Sequence, residues 1–445
     1  MDRVHPKSCS CTKSELELFD IPDTQTTILD GRWVEHHPIS TLTEMSPIEF
    51  DIPGAGEEYT DLSQTQLYVG AKIVCANGDD LPDGERVGPT NLWLHSLFQQ
   101  IDVSLGNKIV TDSTNTYPYR AYFENLLNYG EDAKQTQLTS ALFYQDTPGR
   151  LHMVDPFPTD QNAVVNTGLV KRATMTRGSR EVDLIGPLHV DLFFQDRYLL
   201  NKVDMKIKLH RSKHQFNLMS PEQNKQYKVV ITGAALFLRK VNLLSTYQLS
   251  IENRLNKESA KYPLKRIQVK PFTIPQGNHT VSNDNLFLGQ IPKRLAIALV
   301  SNVDFQGSYG TNPFNFQHFD LNYISLCIDG RQVPHKALTP NFEDGHFIRS
   351  YFNLFGPIGK LGQDSGNQIA RDAFDKGYTI YCYDLSPDLC GLGGDHFNVI
   401  KQGNLRLELH FAKALEQTVV ALVFAEFDNL LEINRQRIVT FDYNN

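Results

Sequence analysis

The chain has 445 residues and a mass of 50.5 kDa, with 40% hydrophobic, 10% aromatic and 21% charged residues. A single hydrophobic core stops growing at roughly 250–300 residues, so this length and apolar content call for two large domains and exclude a mostly disordered chain. The net charge of −8 and pI near 6.0 lack the Lys and Arg excess that dense neutralisation of DNA phosphates requires.

Residues 1–45 are rich in Thr, Asp, Pro and His and show only brief periodicity, so they read as an extended arm without a core of its own. The start is polar, without the apolar segment of a signal peptide, and no apolar run reaches the ~20 residues of a membrane-spanning helix. From Ser46 the pattern takes a period of two. Ile48, Phe50 and Ile52 alternate with acids, then Leu67, Val69, Ala71 and Ile73 with Tyr68, Gly70 and Lys72. Successive strand side chains point to opposite faces, so this alternation predicts sheets with one buried face. Turn formers break the runs at Pro53-Gly54, Asn77-Gly78, Asp83-Gly84 and Gly106-Asn107.

A helix is expected over 118–129, where Tyr119, Phe123, Leu126 and Leu127 share one stripe, Pro118 suits the first turn and Gly130 the stop. Alternation returns at Val203, Met205, Ile207 and Leu209. Strands are expected over 227–241, 264–272, 294–303 and 319–328, the last turning at Asp329-Gly330. A second short helix is expected over 368–376, closed by Gly377. Leu405, Leu407, Leu409 and Phe411 alternate with polar residues, and 418–427 is apolar on both faces, as in a covered central strand. Long loops are expected over 132–168, 276–290 and 356–367.

The second half echoes the first. Residues 101–110 match 324–333, each a strand, a two-residue turn, a base and a return strand. Arg-Ala-Tyr-Phe at 120–123 matches Arg-Ser-Tyr-Phe at 349–352; Leu188, Val190, Leu192 and Phe194 match Leu405, Leu407, Leu409 and Phe411; residues 217–219 match 429–431. Four matches in one order, spaced by about half the chain, predict two copies of one all-β domain. An eight-stranded jelly roll, two sheets face to face, suits each copy. The expected divisions are an arm at 1–45, a first jelly roll at 46–222 and a second at 223–445.

No constellation of reactive residues carries chemistry. The six cysteines, Cys9, Cys11, Cys75, Cys327, Cys382 and Cys390, are too few for a disulfide scaffold, and a reducing compartment is expected, which leaves the sequon at Asn278 unused. Cys9 and Cys11 with His5, or Cys382 and Cys390 with His396, fall short of a four-ligand zinc site and read as free thiols. Asp79, Asp80, Asp83 and Glu85 lack the spacing of a calcium loop and read as a solvated hairpin tip. The glycines Gly391, Gly393 and Gly394 lack the βαβ setting of a dinucleotide site. His36, His37, His210 and His214 accompany no nucleophile elbow. The basic run at 202–213 alternates with apolar residues and marks the outer face of a strand, where a weak contact with DNA is the alternative reading. Catalytic, cofactor-binding and metal-binding residues are therefore assigned as none.

Several fragments together resemble a known family: Thr-Lys-Ser-Glu-Leu-Glu-Leu-Phe at 12–19 leading to Pro-Asp-Thr-Gln-Thr-Thr at 22–27, Ser-Pro-Ile-Glu-Phe at 46–50 with Asp-Leu-Ser at 61–63, Leu-His-Ser-Leu-Phe at 94–98, Tyr-Pro-Tyr-Arg-Ala-Tyr at 117–122 and Leu-Leu-Asn-Tyr-Gly at 126–130. This set is similar to the double jelly-roll major capsid proteins of Polinton (Maverick) elements and adintoviruses, most densely over 12–149. The resemblance implies an all-β fold of two tandem eight-stranded jelly-roll sandwiches with short helices in the connections. It implies a homotrimer that forms a pseudo-hexameric capsomer, neighbouring capsomers tiling an icosahedral shell around double-stranded DNA, a single jelly-roll penton protein at the vertices, and a packaging ATPase and maturation protease from the same genome. The expected location is the virion, assembled inside the host cell, and the expected role is structural, not enzymatic. The alternative is a glycan-binding or glycan-processing protein on paired jelly rolls, which needs converging carboxylates, such as Asp155 and Asp160, or aromatic platforms.

Overall fold

The computed structural model describes residues 5, 7–43, 45–160, 162–222, 224–287, 289–393 and 396–441. The first half supplies β1 (Ile28–His36), β2 (Ile48–Ile52), β3 (Tyr59–Cys75), β4 (Phe98–Leu105), β5 (Lys108–Ile109), β6 (Val182–Pro187), β7 (Met205–Arg211) and β8 (Tyr227–Leu243). The second supplies β9 (Ala260–Ile274), β10 (Thr280–Asn283), β11 (Arg294–Ser301), β12 (Leu321–Ile328), β13 (Arg331–Leu338), β14 (Ile380–Asp384), β15 (Leu405–Phe411) and β16 (Val419–Ile433).

These strands form four antiparallel sheets, ordered β1-β8-β3-β6 and β2-β7-β4-β5 in the first half, β9-β16-β11-β14 and β10-β15-β12-β13 in the second. Counted within each half, both read 1-8-3-6 over 2-7-4-5. Strand one pairs with strand eight and strand two with strand seven, so the chain winds as a doubled hairpin across two sheets: a jelly roll, made twice. The hairpin after β12 turns on Asp329 and Gly330, both at positive φ (48° and 80°), the two-residue geometry that matches strand twist.

Pairing moves both expected divisions. Residues 28–36, placed in the arm, form β1 and run antiparallel to β8, Trp33 opposite Arg239. Residues 227–243, placed in the second roll, form β8 and lie between β1 and β3, Leu236 opposite both His36 and Leu67. The first roll therefore closes at Leu243, beyond the expected join at 222. The helix Ser245–Leu255 then leads into β9. Alternation marks a strand in sequence but does not name its partner, which is why the first division was expected too late and the second too early.

Two of the four internal matches coincide in the fold. Residues 101–110 and 324–333 lie in the β4–β5 and β12–β13 hairpins, and 120–123 and 349–352 lie in α1 (Tyr117–Asn128) and α4 (Ile348–Asn353), each the helix that follows its hairpin; α2 is Thr167–Thr176 and α3 is Ser245–Leu255. The other two do not. Asp191–Phe194 is a 3-10 turn, and the true counterpart of β15 is β7. Residues 217–219 precede β8, whereas 429–431 lie within β16. The helix expected over 368–376 is a single turn, Arg371–Phe374.

The core shows how the rolls meet. β16 is buried along nearly its whole length on both faces. Val419, Ala421 and Val423 face the second roll's own core, while Val420, Leu422 and Phe424 join a cluster continuous with the first roll's core. One face closes a sandwich and the other closes a junction.

Candidate functional site

The junction is built around α1. Pro118 fits its first turn, where no amide donor is lost, and ten of its twelve residues are buried. Its aromatic stripe meets the second roll. The Tyr122 ring stacks on Phe314 at 4.2 Å and Phe123 on Phe316 at 5.2 Å, with Phe424 of β16 at 5.7 Å from Phe123. Tyr119 stacks on Phe305 at 5.6 Å. Such ring pairs contribute roughly 0.5–1.5 kcal/mol each beyond the area they bury.

Polar ties lie beneath the rings. Arg120 pairs with Glu124 at 3.0 Å and Asp191 at 2.6 Å. Asp191 also accepts the Ile267 amide of β9 at 3.1 Å, and Thr116 donates to the Val269 carbonyl at 2.9 Å, so this cluster spans both rolls. Burial opposes the Arg120 charge, but the two carboxylates outweigh it and raise its pKa. Burial pushes the Asp191 carboxyl up to about 6. Glu124 also binds His189 Nδ1 at 2.5 Å.

A second tie centres on Asp146. Its Oδ1 accepts from Arg172 Nη2 at 2.8 Å and Asn166 Nδ2 at 2.9 Å, and its Oδ2 accepts from Asn312 Nδ2 of the second roll at 2.9 Å. Tyr378, also from the second roll, donates its hydroxyl to the Asp146 carbonyl at 2.6 Å. The Arg172 and Asp146 side chains are both wholly buried. Lys134 crosses the junction too, donating to Leu126 O at 2.8 Å and Asn367 O at 2.5 Å. From sequence, Pro118, Tyr119, Phe123 and Leu126 stand out in the helical pattern, Arg120 and Tyr122 only within the repeated Arg-Ala-Tyr-Phe, and Phe424 only within the 418–427 run; the polar ties at Glu124, Lys134, Asp146, Arg172, Asp191, Asn312 and Tyr378 carry no periodic signal.

The candidate ligand residues do not converge. Among the described residues no group of three or more His, Cys, Asp or Glu is placed to hold a metal. His5, Cys9 and Cys11 are exposed in the arm. Cys382 is buried in β14 and its thiol is pushed up to about 12 by burial, while Cys390 is exposed and His396 pairs with Asp388 at 3.0 Å. Gly391 and Gly393 lie in a turn region; Gly394 lies outside the described residues. In the acidic hairpin, Asp80 pairs with Lys72 at 2.9 Å and Glu85 with Lys225 at 2.8 Å. Asp155 pairs with Arg86 at 2.9 Å, whereas Asp160 caps the Asn162 amide in its own loop, so the two serve separate contacts. His210 pairs with Asp102 at 2.8 Å, His214 accepts the Val229 amide, and His36 and His37 sit at the end of β1 and just beyond it. In the basic run, Lys208 pairs with Glu49 at 2.8 Å across the sheet. A groove of about 300 Å³ beside α1, lined by Tyr119, Phe216, Phe305 and Lys213, has no carboxylate in its wall, and its rings pack against one another. No helix among the described residues is long and apolar enough to cross a membrane.

No family model matches the chain. An uncharacterized protein of Caenorhabditis elegans is 26% identical over 430 residues, covering 94% of this chain and 98% of the relative. Among solved structures, a chain of the Sputnik virophage is similar with a TM-score of 0.62 at 12% identity, covering 98% of this chain and 94% of that one. The Faustovirus major capsid protein gives 0.58 at 10% identity, covering 94% and 93%, and VP54 of PBCV-1 gives 0.57 at 12% identity, covering 96% and 100%. Likeness over the whole chain at such low identity is likeness of fold. The chain has the double jelly-roll fold of viral major capsid proteins.

Proposed function

We propose that the chain is the major capsid protein of a double-stranded DNA virus or virus-like mobile element of the Polinton and adintovirus kind, a structural subunit without catalytic activity. The observation that carries this is the junction: two rolls of identical strand order held in one orientation by buried rings and buried polar ties. Three such chains present six similar rolls around a threefold axis, so a closed trimer mimics a hexagon and tiles with its neighbours. The fold shared with the Faustovirus major capsid protein and PBCV-1 VP54 supports this reading, and a nearly full-length relative in an animal supports a mobile element.

In this reading the arm is residues 1–27, the rolls are 28–243 and 260–441, and the shell lies in the virion with a single jelly-roll penton at its vertices. The arm exposes Leu16, Leu18, Phe19 and Ile21, apolar side chains that an assembled shell would cover. The acidic balance keeps the outer surface soluble. No catalytic, cofactor or metal role is assigned to any residue. Size-exclusion chromatography with light scattering is expected to give three times the 50.5 kDa chain mass, and electron microscopy to show hexagonal capsomers. A monomer that persists at every concentration and salt refutes the proposal.

A further inference from the structure

We propose that α4 of the second roll packs on the outer face of the β1-β8-β3-β6 sheet of a second copy of this chain, repeating between chains the contact that α1 makes within one. The partner's stoichiometry rests on the capsid reading above; the matching surfaces rest on the duplication alone.

The two helices occupy the same place in the two rolls, each following its roll's β4–β5 or β12–β13 hairpin, and carry Arg-Ala-Tyr-Phe and Arg-Ser-Tyr-Phe. Their apolar faces meet opposite fates. Phe123 is fully buried against Phe316 and Phe424. Its counterpart Phe352 is 58% exposed, and Ile348, one turn earlier on the same face, is 41% exposed. The rest of α4 is anchored: Arg349 donates to the Ala337 and Lys336 carbonyls at 2.7 Å each, and Tyr351 packs on Phe355 and Phe374 of its own roll. The helix is held in place with an apolar pair turned outward.

The sheets show the same asymmetry. The outer face of β9-β16-β11-β14, through Ala296, Cys382, Leu422 and Phe424, is covered by α1 and its neighbours. The equivalent outer face of β1-β8-β3-β6 is only partly covered: Val74 and Ala235 are buried, but Tyr68 and Lys72 on β3 and Ile185 on β6 are half-buried, and Val230 on β8 is 38% exposed. Among the described residues each chain thus has one helix that rests on β14 of its own roll with an apolar pair left facing outward, and one sheet whose outer face carries no helix. A head-to-tail contact satisfies both, and it closes into a ring when the rotation between successive rolls matches the one inside the chain. The open face is more polar than the covered one, as suits folded chains that associate from solution rather than surfaces that never meet water.

Two single substitutions test this, Phe352→Asp on the helix and Val230→Asp on the sheet, with circular dichroism confirming the native spectrum and light scattering reading the mass. Each is expected to give folded monomers at concentrations where the unaltered chain is a trimer. Because the contact is head-to-tail, mixing the two variants restores one intact helix–sheet pair, so a 1:1 pair is expected. Val230 is already solvent-exposed, so a Phe352 variant that fails to fold leaves the sheet variant to decide. Unaltered trimers with either folded variant, or a mixture that stays monomeric up to the solubility limit, overturn the inference while leaving the capsid reading standing. An unaltered chain that never trimerises overturns the capsid reading itself, and this contact with it.

Discussion

Asp146→Ala removes the acceptor at the centre of the second junction tie. The Arg172 guanidinium, wholly buried and 2.8 Å from the carboxylate, loses its counter-charge; Asn166 and Asn312 each lose an acceptor at 2.9 Å. Removing one partner of a buried ion pair costs about 3–5 kcal/mol, and each stranded neutral donor adds about 1–3 kcal/mol unless water reaches it. A loss of about 5 kcal/mol or more is therefore expected where both amides stay dry, a large fraction of the 5–15 kcal/mol typical of a folded domain. Replacing both charges, Asp146→Leu with Arg172→Met, strands no ion and is expected to recover part of that loss, the two amides and the Pro89 and Tyr144 carbonyls that Arg172 serves still lacking partners. Both tryptophans, Trp33 and Trp93, belong to the first roll, so their fluorescence reports that roll while far-ultraviolet circular dichroism reports the whole chain. In urea the two signals are expected to coincide for the unaltered chain and to separate in Asp146→Ala, because Asn312 ties the rolls together through this carboxylate. A loss below about 1 kcal/mol, or a double variant no more stable than the single one, refutes the assignment of Asp146 as the junction's polar centre.

Burial pushes the Lys134 ammonium down to about 7 from its ordinary 10.5. The unfolded chain therefore binds more protons between those values: the burial penalty is full below pH 7 and fades as pH rises towards 10.5, so stability at this site climbs across that window. Lys134→Met is expected to flatten that rise in melting temperatures measured from pH 7 to 10; an identical slope in both proteins refutes it. Deleting residues 1–26 is expected to leave the melting temperature of the dissociated chain unchanged. Deleting 1–37 removes β1, bares the β8 edge and is expected to lower the first roll's melting temperature by roughly 5 °C or more. Equal effects would contradict the pairing of β1. Maleimide labelling of the dissociated chain is expected to modify Cys9, Cys11 and Cys390 fast and to spare buried Cys327 and Cys382 until unfolding, read by mass spectrometry.

The elements were largely legible, the joins and the junction much less so. Alternation at Ile48, Phe50 and Ile52, or at Leu405 to Phe411, marks strands because one face of each is buried and the other wet. The doubly apolar run at 418–427 rightly marked a covered strand, but not what covers it: Val420 and Val423 look alike in sequence, yet one faces the first roll and the other its own roll's core. β8 reads as a strand but falls in the other roll, because its partners on β1 and β3 lie 200 to 215 and 152 to 182 residues away and nothing local encodes that pairing. Leu188 to Phe194 copies the apolar spacing of β15, but here the chain turns so that Asp191 can reach Arg120 and the Ile267 amide. The junction ties are single polar residues scattered over helices and loops, each unremarkable until the fold gathers them.

Why the junction is polar at its centre follows from what a stack of rings can and cannot fix. Apolar contacts resist separation but permit sliding, since shifted rings still find neighbours. Buried hydrogen bonds do not tolerate a shift: moving Asp146 away from Asn312, or Asp191 from the Ile267 amide, leaves donors stranded in a dry interior. The rings of α1 therefore supply adhesion and the two carboxylates supply register. In the proposed capsomer, register is what a ring of rolls would require, because an error in the angle between the two rolls of one chain would recur three times around the ring and could not be absorbed at one contact. A chain that worked as two independent binding modules would need no such lock, and a flexible linker would serve it better. The cost of burying Arg120, Glu124, Asp191, Arg172 and Asp146 fits the proposed shell subunit, whose shape would be its function.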